Sequence, residues 1–333
     1  MAGTFSNFQI YDTEFFSGMT ESVEQAAIEM NAGSGGTLIL RSNMHRGDFE
    51  KQSFFNRVEG LISRRDNGSV APVDDLEMGQ GELVAVKINS KIGPVAQTID
   101  AFKKIAQDPR LMSFQLGSQY GEDYVLDMLN SSLLAVVTAM ETVPAMVVDI
   151  ADSDAEVKTL SHLNLVKGMA AMGDRASRVK ALVMHSKSFF DLIGDAIASQ
   201  ITNVADVTIY SGTTGSLGRP ILVTDSTALQ VTEMVGDPGE EVPTVVGYRV
   251  VGLTEGATDI AQSEENTIVS EIVTGRESLF MRYQGETAHT VGVKGFAFTG
   301  TANPSDEELG DGSNWDYVYN THKNGPGFVM LVE

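Results

Sequence analysis

Five histidines, His45, His162, His185, His289 and His322, are the side chains of this sequence best suited to bind a metal or carry a proton. Their spacing gives them no common task. None pairs as His-Glu-x-x-His, and none has an acidic residue at the interval of a metal site. His185 follows the apolar run Val179 to Met184 and reads as a residue at a strand end. Asp149, Asp152, Asp154 and Glu156 form a small acidic cluster. A calcium loop needs a glycine at its sharp turn and a closing bidentate glutamate, and this cluster has no such glycine. Gly212-Thr-Thr-Gly-Ser-Leu-Gly218 has the composition of a phosphate cradle. A cradle must open a helix whose first amides hold the anion, and this run opens onto a strand. It lacks a P-loop lysine as well, so a plain turn is the better reading. Gly33-Ser-Gly-Gly36 fails in the same way. There is no Gly-x-Ser-x-Gly elbow, and without cysteine there is neither thiolate chemistry nor a disulfide. The chain therefore reads as a non-enzyme, with no catalytic residue, cofactor site or metal site assigned.

Composition narrows the class further. The chain has 333 residues, 42% of them hydrophobic and 20% charged, which is ordinary for a folded protein with a substantial core. No apolar run is long enough to span a bilayer. The first residues, MAGTFSNFQIYDTEFF, lack the basic start and apolar centre of a signal peptide. A net charge of −22 argues against a nucleic-acid binder, because phosphate repels such a surface, and it favours solubility.

The elements that would position any site are organised around Gly117 to Val143. Val125, Leu129, Leu133, Val136, Met140 and Val143 fall in steps of three and four on one helical face. Leu126, Leu134 and Val137 widen that face. Pro144 cannot continue the helix and disfavours helical geometry at Val143. At about 1.5 Å per residue the predicted rod is roughly 40 Å long, a spine for a broad subunit.

Before it, residues 1–40 read as an arm, with a helical patch at Thr20 to Met30 that Asn31 to Gly36 ends, and with no core of its own. Thr37 to Arg41 reads as a strand. Phe49 to Ile62 has helix-compatible spacing through Phe54, Phe55, Val58 and Leu61. Arg64, Arg65, Asp66, Asn67 and Gly68 signal a turn, and Val84 to Ser90 alternates as a strand. Residues 41–95 thus look like a long polar excursion, of the kind that usually carries function or an interface. Phe54 and Phe55 are its candidate anchors on another subunit, and Arg64 and Arg65 are candidates for a cross-subunit salt bridge. Thr98 to Asp108 reads as a short helix stopped by Pro109.

After the spine, Leu160 to Met172 and Ser186 to Ser199 read as helices. Val179 to Met184, Arg219 to Thr224 and Thr244 to Leu253 read as strands, giving an α/β block. Residues 230–243 and 254–267 read as exposed acidic loops. Strands return at 267–273, 279–283 and 290–299. The tail is an acidic loop closed by Phe328 to Val332, a strand that needs a sheet to pair with.

Three stretches carry a resemblance: Ala181-Leu-Val-Met-His-Ser-Lys-Ser-Phe-Phe-Asp-Leu192, Leu217-Gly-Arg-Pro-Ile-Leu-Val-Thr-Asp-Ser226, and Asn303-Pro-Ser-Asp-Glu-Glu-Leu309 with Asn314-Trp315 and Lys323-Asn324. Together they resemble the major capsid proteins of tailed bacteriophages with the Hong Kong 97-type coat fold. The order of elements is similar over nearly the whole chain. The resemblance implies an α+β fold with an N-terminal arm (1–40) and an extended E-loop (41–95). It implies a P-domain (96–148 and 268–333) that holds the spine helix 117–143 and the C-terminal strand, and an α/β A-domain (149–267). A long scaffold-like prefix before residue 37, cleaved in some relatives, is missing here.

The implied function is structural: self-assembly into the icosahedral head shell around a double-stranded DNA genome. Implied partners are further copies in hexamers and pentamers, with scaffold, portal and decoration proteins as others. The DNA is enclosed without specific binding, and no membrane is involved. The implied location is the virion capsid, after a stage in the host cytoplasm. An encapsulin-like nanocompartment shell and an acidic α/β enzyme are the alternatives, and the tail motif favours the viral shell over the compartment.

Overall fold

Two helices run side by side through the fold. The computed structural model describes residues 5–42, 45, 47–56, 58, 61–98, 109–152, 157–202, 218–235, 242–263, 267–274, 277–278 and 280–333. Helix α1 spans Phe5–Gly33. Strands β1 (Leu38–Ser42), β2 (Phe49–Phe55) and β3 (Gln80–Thr98) follow, and then helix α2 (Pro109–Glu141). The expected helix at 98–108 lies, beyond Thr98, outside the described residues. Pro109 is the first residue of α2. The first helical position has no use for an N–H, and the ring presets the backbone angle. The spine therefore begins eight residues before Gly117 (117 − 109 = 8) and ends at Glu141, just ahead of Pro144.

The first 40 residues are not merely an arm. Gly18 lies against the Phe114 carbonyl, Gly117 against the Phe15 carbonyl and Gly121 against the Met19 carbonyl. Ser22 and Ser118 share a 2.6 Å hydroxyl hydrogen bond. These pairs advance together along both chains, so α1 and α2 run in the same direction at close approach. Small residues leave the room for it. Phe15 and Met19 are buried with Tyr124, Val125 and Met128, so α1 builds a core of its own with α2. Local periodicity showed only the C-terminal part of this helix, because its apolar face is set by a neighbour about a hundred residues away.

The remaining elements are β4 (Val147–Asp149), α3 (His162–Ala170), β5 (Val179–Met184), α4 (Ser186–Thr202), β6 (Ile221–Val223), β7 (Gln230–Val235) and β8 (Val242–Thr254). Then come β9 (Thr258–Gln262), β10 (Thr267–Val273), β11 (Phe280–Val293), β12 (Phe296–Phe298), α5 (Asp306–Leu309), β13 (Trp315–Tyr317) and β14 (Gly327–Val332). The first sheet has the order β1-β9-β11-β3-β12-β13, with β10 on β11 and β2 on β3. The second has the order β4-β14-β8-β5-β6, with β7 on β8.

The C-terminal half of α2 joins the two sheets. Leu133, Val136, Val137 and Met140 are buried in one core with Val86, Val291 and Phe296 of the first sheet and Val183, Val251 and Val329 of the second. A helix placed between two sheets must be apolar over much of its circumference, which is the pattern seen in its sequence. Leu126 stays half exposed and Leu129 is partly buried, so the buried arc is narrower at its start. At its end, Glu141 takes a bidentate pair from Arg249 of β8, with Nε–Oε1 at 2.7 Å and Nη2–Oε2 at 3.4 Å.

The terminal strand does find its sheet. It lies parallel to β4 and antiparallel to β8, in the middle of the α/β block rather than beside β11 and β12. Phe328 lies over Gly252 and Gly168, where any Cβ would collide with its ring. Conversely, β9 lies within a stretch expected to be an exposed loop, yet Ile260 is fully buried. It pairs parallel to β1 and antiparallel to β11, so long-range pairing overrides its short, mixed sequence. Residues 230–235, also expected as loop, form β7. The stretch 290–299 is two strands, with Gly295 at φ +80° between them. The tail is more ordered than an acidic loop. Ser305 and Glu308 form a reciprocal capping box on α5, and Trp315 Nε1 donates to the Leu309 carbonyl at 3.0 Å.

Candidate assembly interface

The excursion is a hairpin with a long connection. β2 pairs antiparallel to β3 from Phe49↔Val86 to Phe55↔Gln80. The helix-compatible spacing at Phe49 to Ile62 is therefore misleading: residues 49–55 form a strand, because β3 satisfies their backbone groups in a ladder. Asn56 N donates to the Gly79 carbonyl at 2.8 Å and closes the ladder. Beyond it, residues 61–79 are exposed throughout. Leu61, Ile62, Val70, Val73, Leu76 and Met78 all present apolar surface there. That is too much apolar side chain for a solvated loop to expose without a partner.

Successive strand residues face opposite sides, and this divides the two candidate aromatics. Phe54 lies over Gly81 and meets Tyr319 edge-on, with ring centroids 5.1 Å apart. Phe55 points away and is 66% exposed. Phe54 thus packs within its own subunit, while Phe55 is mostly exposed. Arg64 and Arg65 are both exposed on the connection, and Arg65 Nε donates to Asn67 Oδ1 at 3.2 Å. Asp66 Oδ1 accepts from Gly68 N at 2.9 Å, so the expected turn is present. The two arginines do not join the aromatics.

Other cations do. Arg175, Arg178 and Lys294 line a groove with Phe54, Phe55 and Tyr319. Arg175 and Arg178 both donate to Asn324 Oδ1, the latter at 3.4 Å. Lys294 Nζ donates to the Glu255 carbonyl at 2.7 Å. Burial, and then the nearby Arg178 charge, lower the Lys294 pKa, and the Glu255 charge opposes them. Among the described residues no carboxylate lines the groove. Sequence reasoning missed these cations because they sit on separate elements. Only the Arg175/Arg178 spacing hinted at a shared face.

The histidines stay apart. His45 Nε2 bonds the Phe49 carbonyl at 2.9 Å, and His322 Nε2 bonds the Ala171 carbonyl at 3.2 Å. His185 ends β5, as expected, beside Asp225 at 3.5 Å. Of the acidic cluster, Asp154 and Glu156 lie outside the described residues, and Asp149 Oδ1 accepts from Asp152 N at 3.0 Å. Of the glycine run only Gly218 is described. Among the described residues no group of three or more metal-ligating side chains occurs.

A family model described as Gp13-like, major capsid protein 13-like, matches residues 7–329. The chain belongs to this family of major capsid proteins. Its fold is similar to that of a chain in the capsid asymmetric unit of cyanophage Pam1, with TM-score 0.53, 11% identity, and coverage of 89% of this chain and 88% of that one. It is similar also to a structure from Mycobacterium phage Bobi, with TM-score 0.50, 12% identity, and coverage of 88% and 87%. Comparison with curated proteins finds no match. As a major capsid protein the chain is a structural subunit of a shell and belongs to the virion. The family favours that role over the compartment shell and over an enzyme.

Proposed function

We propose that this capsid protein builds an icosahedral shell of hexamers and pentamers by laying its excursion, residues 41–95, on a neighbouring subunit. In this reading the excursion is the E-loop of a Hong Kong 97-type subunit, and residues 1–40 are its N-terminal arm. The P-domain is 96–148 with 268–333, and α2 is its spine. The A-domain is 149–267, with two exchanges that follow the hydrogen bonding: the terminal strand 327–332 joins it, and 258–262 goes to the other sheet. The subunit waits in the host cytoplasm and encloses double-stranded DNA that it does not bind specifically. Scaffold, portal and decoration proteins are its further partners, and it performs no catalysis.

One observation carries this reading: the row of exposed apolar side chains on 61–79, with Phe55 at its root. A second subunit would cover them, and burial at about 25 cal/mol per Å² drives such association. The test replaces residues 61–78 by a short glycine-serine link and follows particle formation by sedimentation and electron microscopy. Loss of shells is expected, with the subunit still folded by circular dichroism. Shells formed at the normal yield would refute the proposal.

A further inference from the structure

We infer that the groove of Arg175, Arg178 and Lys294 is the seat for the acidic segment 73–78 of a second copy of this chain. This rests on the reading that the excursion lies on a neighbour, and it names where on the neighbour. The chain carries 45 acidic residues against 23 lysines and arginines. In such a chain a groove with three cations and no lining carboxylate is an exception that asks for a negative occupant. The two arginines share one neutral amide oxygen, that of Asn324, and the lysine meets a backbone carbonyl, so among the described residues none of the three makes a salt bridge, although the Asp174 and Glu255 charges act on Arg175 and Lys294 from outside the groove.

The segment matches in both charge and apolar character. Val73-Asp74-Asp75-Leu76-Glu77-Met78 interleaves three acids with three apolar side chains. All six residues are exposed, Val73 almost wholly and Leu76 and Met78 over more than half of their surface. The groove sets aromatic surface from Phe55 and Tyr319 beside its cations. Arginine suits this task because its planar fork pairs a carboxylate bidentately and stacks on rings. A polyanion such as duplex DNA is the competing occupant by charge alone. It offers nothing for the apolar residues, and the net charge of −22 repels it.

The test is a charge exchange read as shell yield. One variant carries R175E and R178E, a second carries D74K, D75K and E77K, and a third carries all five changes. Each of the first two alone is expected to lose shells by roughly tenfold or more, because like charges then face each other across the contact. The five-change protein is expected to recover shells, which also shows that the altered chains fold. Mixing the first two variants is expected to recover six-membered rings in which the two alternate, since each then offers the other a matched contact, whereas a five-membered ring cannot alternate. Normal assembly by the R175E/R178E protein would overturn the groove as the seat. If the 61–78 replacement still abolished shells, the broader reading would stand. Recovery by the five-change chain without mixed six-membered rings on mixing would place the contact within one subunit and overturn the second copy. Failure of both recoveries would overturn the pairing. Retention of labelled duplex DNA by the unaltered subunit, lost in R175E/R178E, would assign the groove to nucleic acid instead.

Discussion

His289 lies wholly inside the fold on β11, and neither ring nitrogen has a hydrogen-bond partner among the described residues. The Tyr124 ring stands nearly edge-on to it, with centroids 6.2 Å apart. Burial pushes the His289 pKa down from 6.5 to about 4, and the Asp306 charge opposes this only weakly. The folded chain therefore refuses a proton that the unfolded chain accepts. Stability should fall as pH drops through 6.5 and level off below about 4, a loss on the order of 3 kcal/mol at about 1.4 kcal/mol per pH unit. Thermal unfolding between pH 7 and pH 4.5 would measure it. His289→Leu should remove most of this one group's slope, whereas an unchanged slope would trace the pH response to other groups.

At the scale of elements, the α1–α2 seam depends on backbone approach. A Cβ on Gly117 would stand 2.0 Å from the Phe15 carbonyl oxygen, and backbone cannot yield as a flexible side chain can. Gly117→Ala should destabilise by roughly 1–3 kcal/mol through overpacking. Gly194, inside α4, has nothing within 4 Å of its Cβ position. There Gly194→Ala should stabilise by about 0.5–1 kcal/mol, because alanine loses less backbone freedom in a helix. Opposite shifts in melting temperature would confirm that the glycines differ by contact and not by helix propensity. Equal shifts would contradict the seam.

At the scale of the whole molecule, the net charge bears on how the subunit meets duplex DNA. A net charge of −22 repels packaged DNA, with screening beyond about 8 Å at physiological salt. The isolated subunit should show no measurable affinity for duplex DNA. Titration at low salt, where attraction would be strongest, is the stringent measurement. Tight, salt-sensitive binding would reverse this view of the charge.

Elements whose neighbours are close in sequence were legible without a structure. Val179 to Met184 is apolar enough to be a buried strand wherever it pairs, and the α2 terminus follows from the chemistry of Pro144. The capping box Ser305–Glu308 has its partners three residues apart, yet that stretch read as an acidic loop. Tertiary structure alone decided what depends on distant partners. Phe328 enters the second sheet because Gly252 and Gly168 leave room for its ring. Thr258 to Gln262 is a strand because β1 and β11 flank it. Phe54, Arg175, Lys294 and Tyr319 meet only because two sheets and a hairpin converge. The sequence determined the local periods and the charge. Which surfaces face one another is set by long-range pairing, and no window of neighbouring residues encodes it.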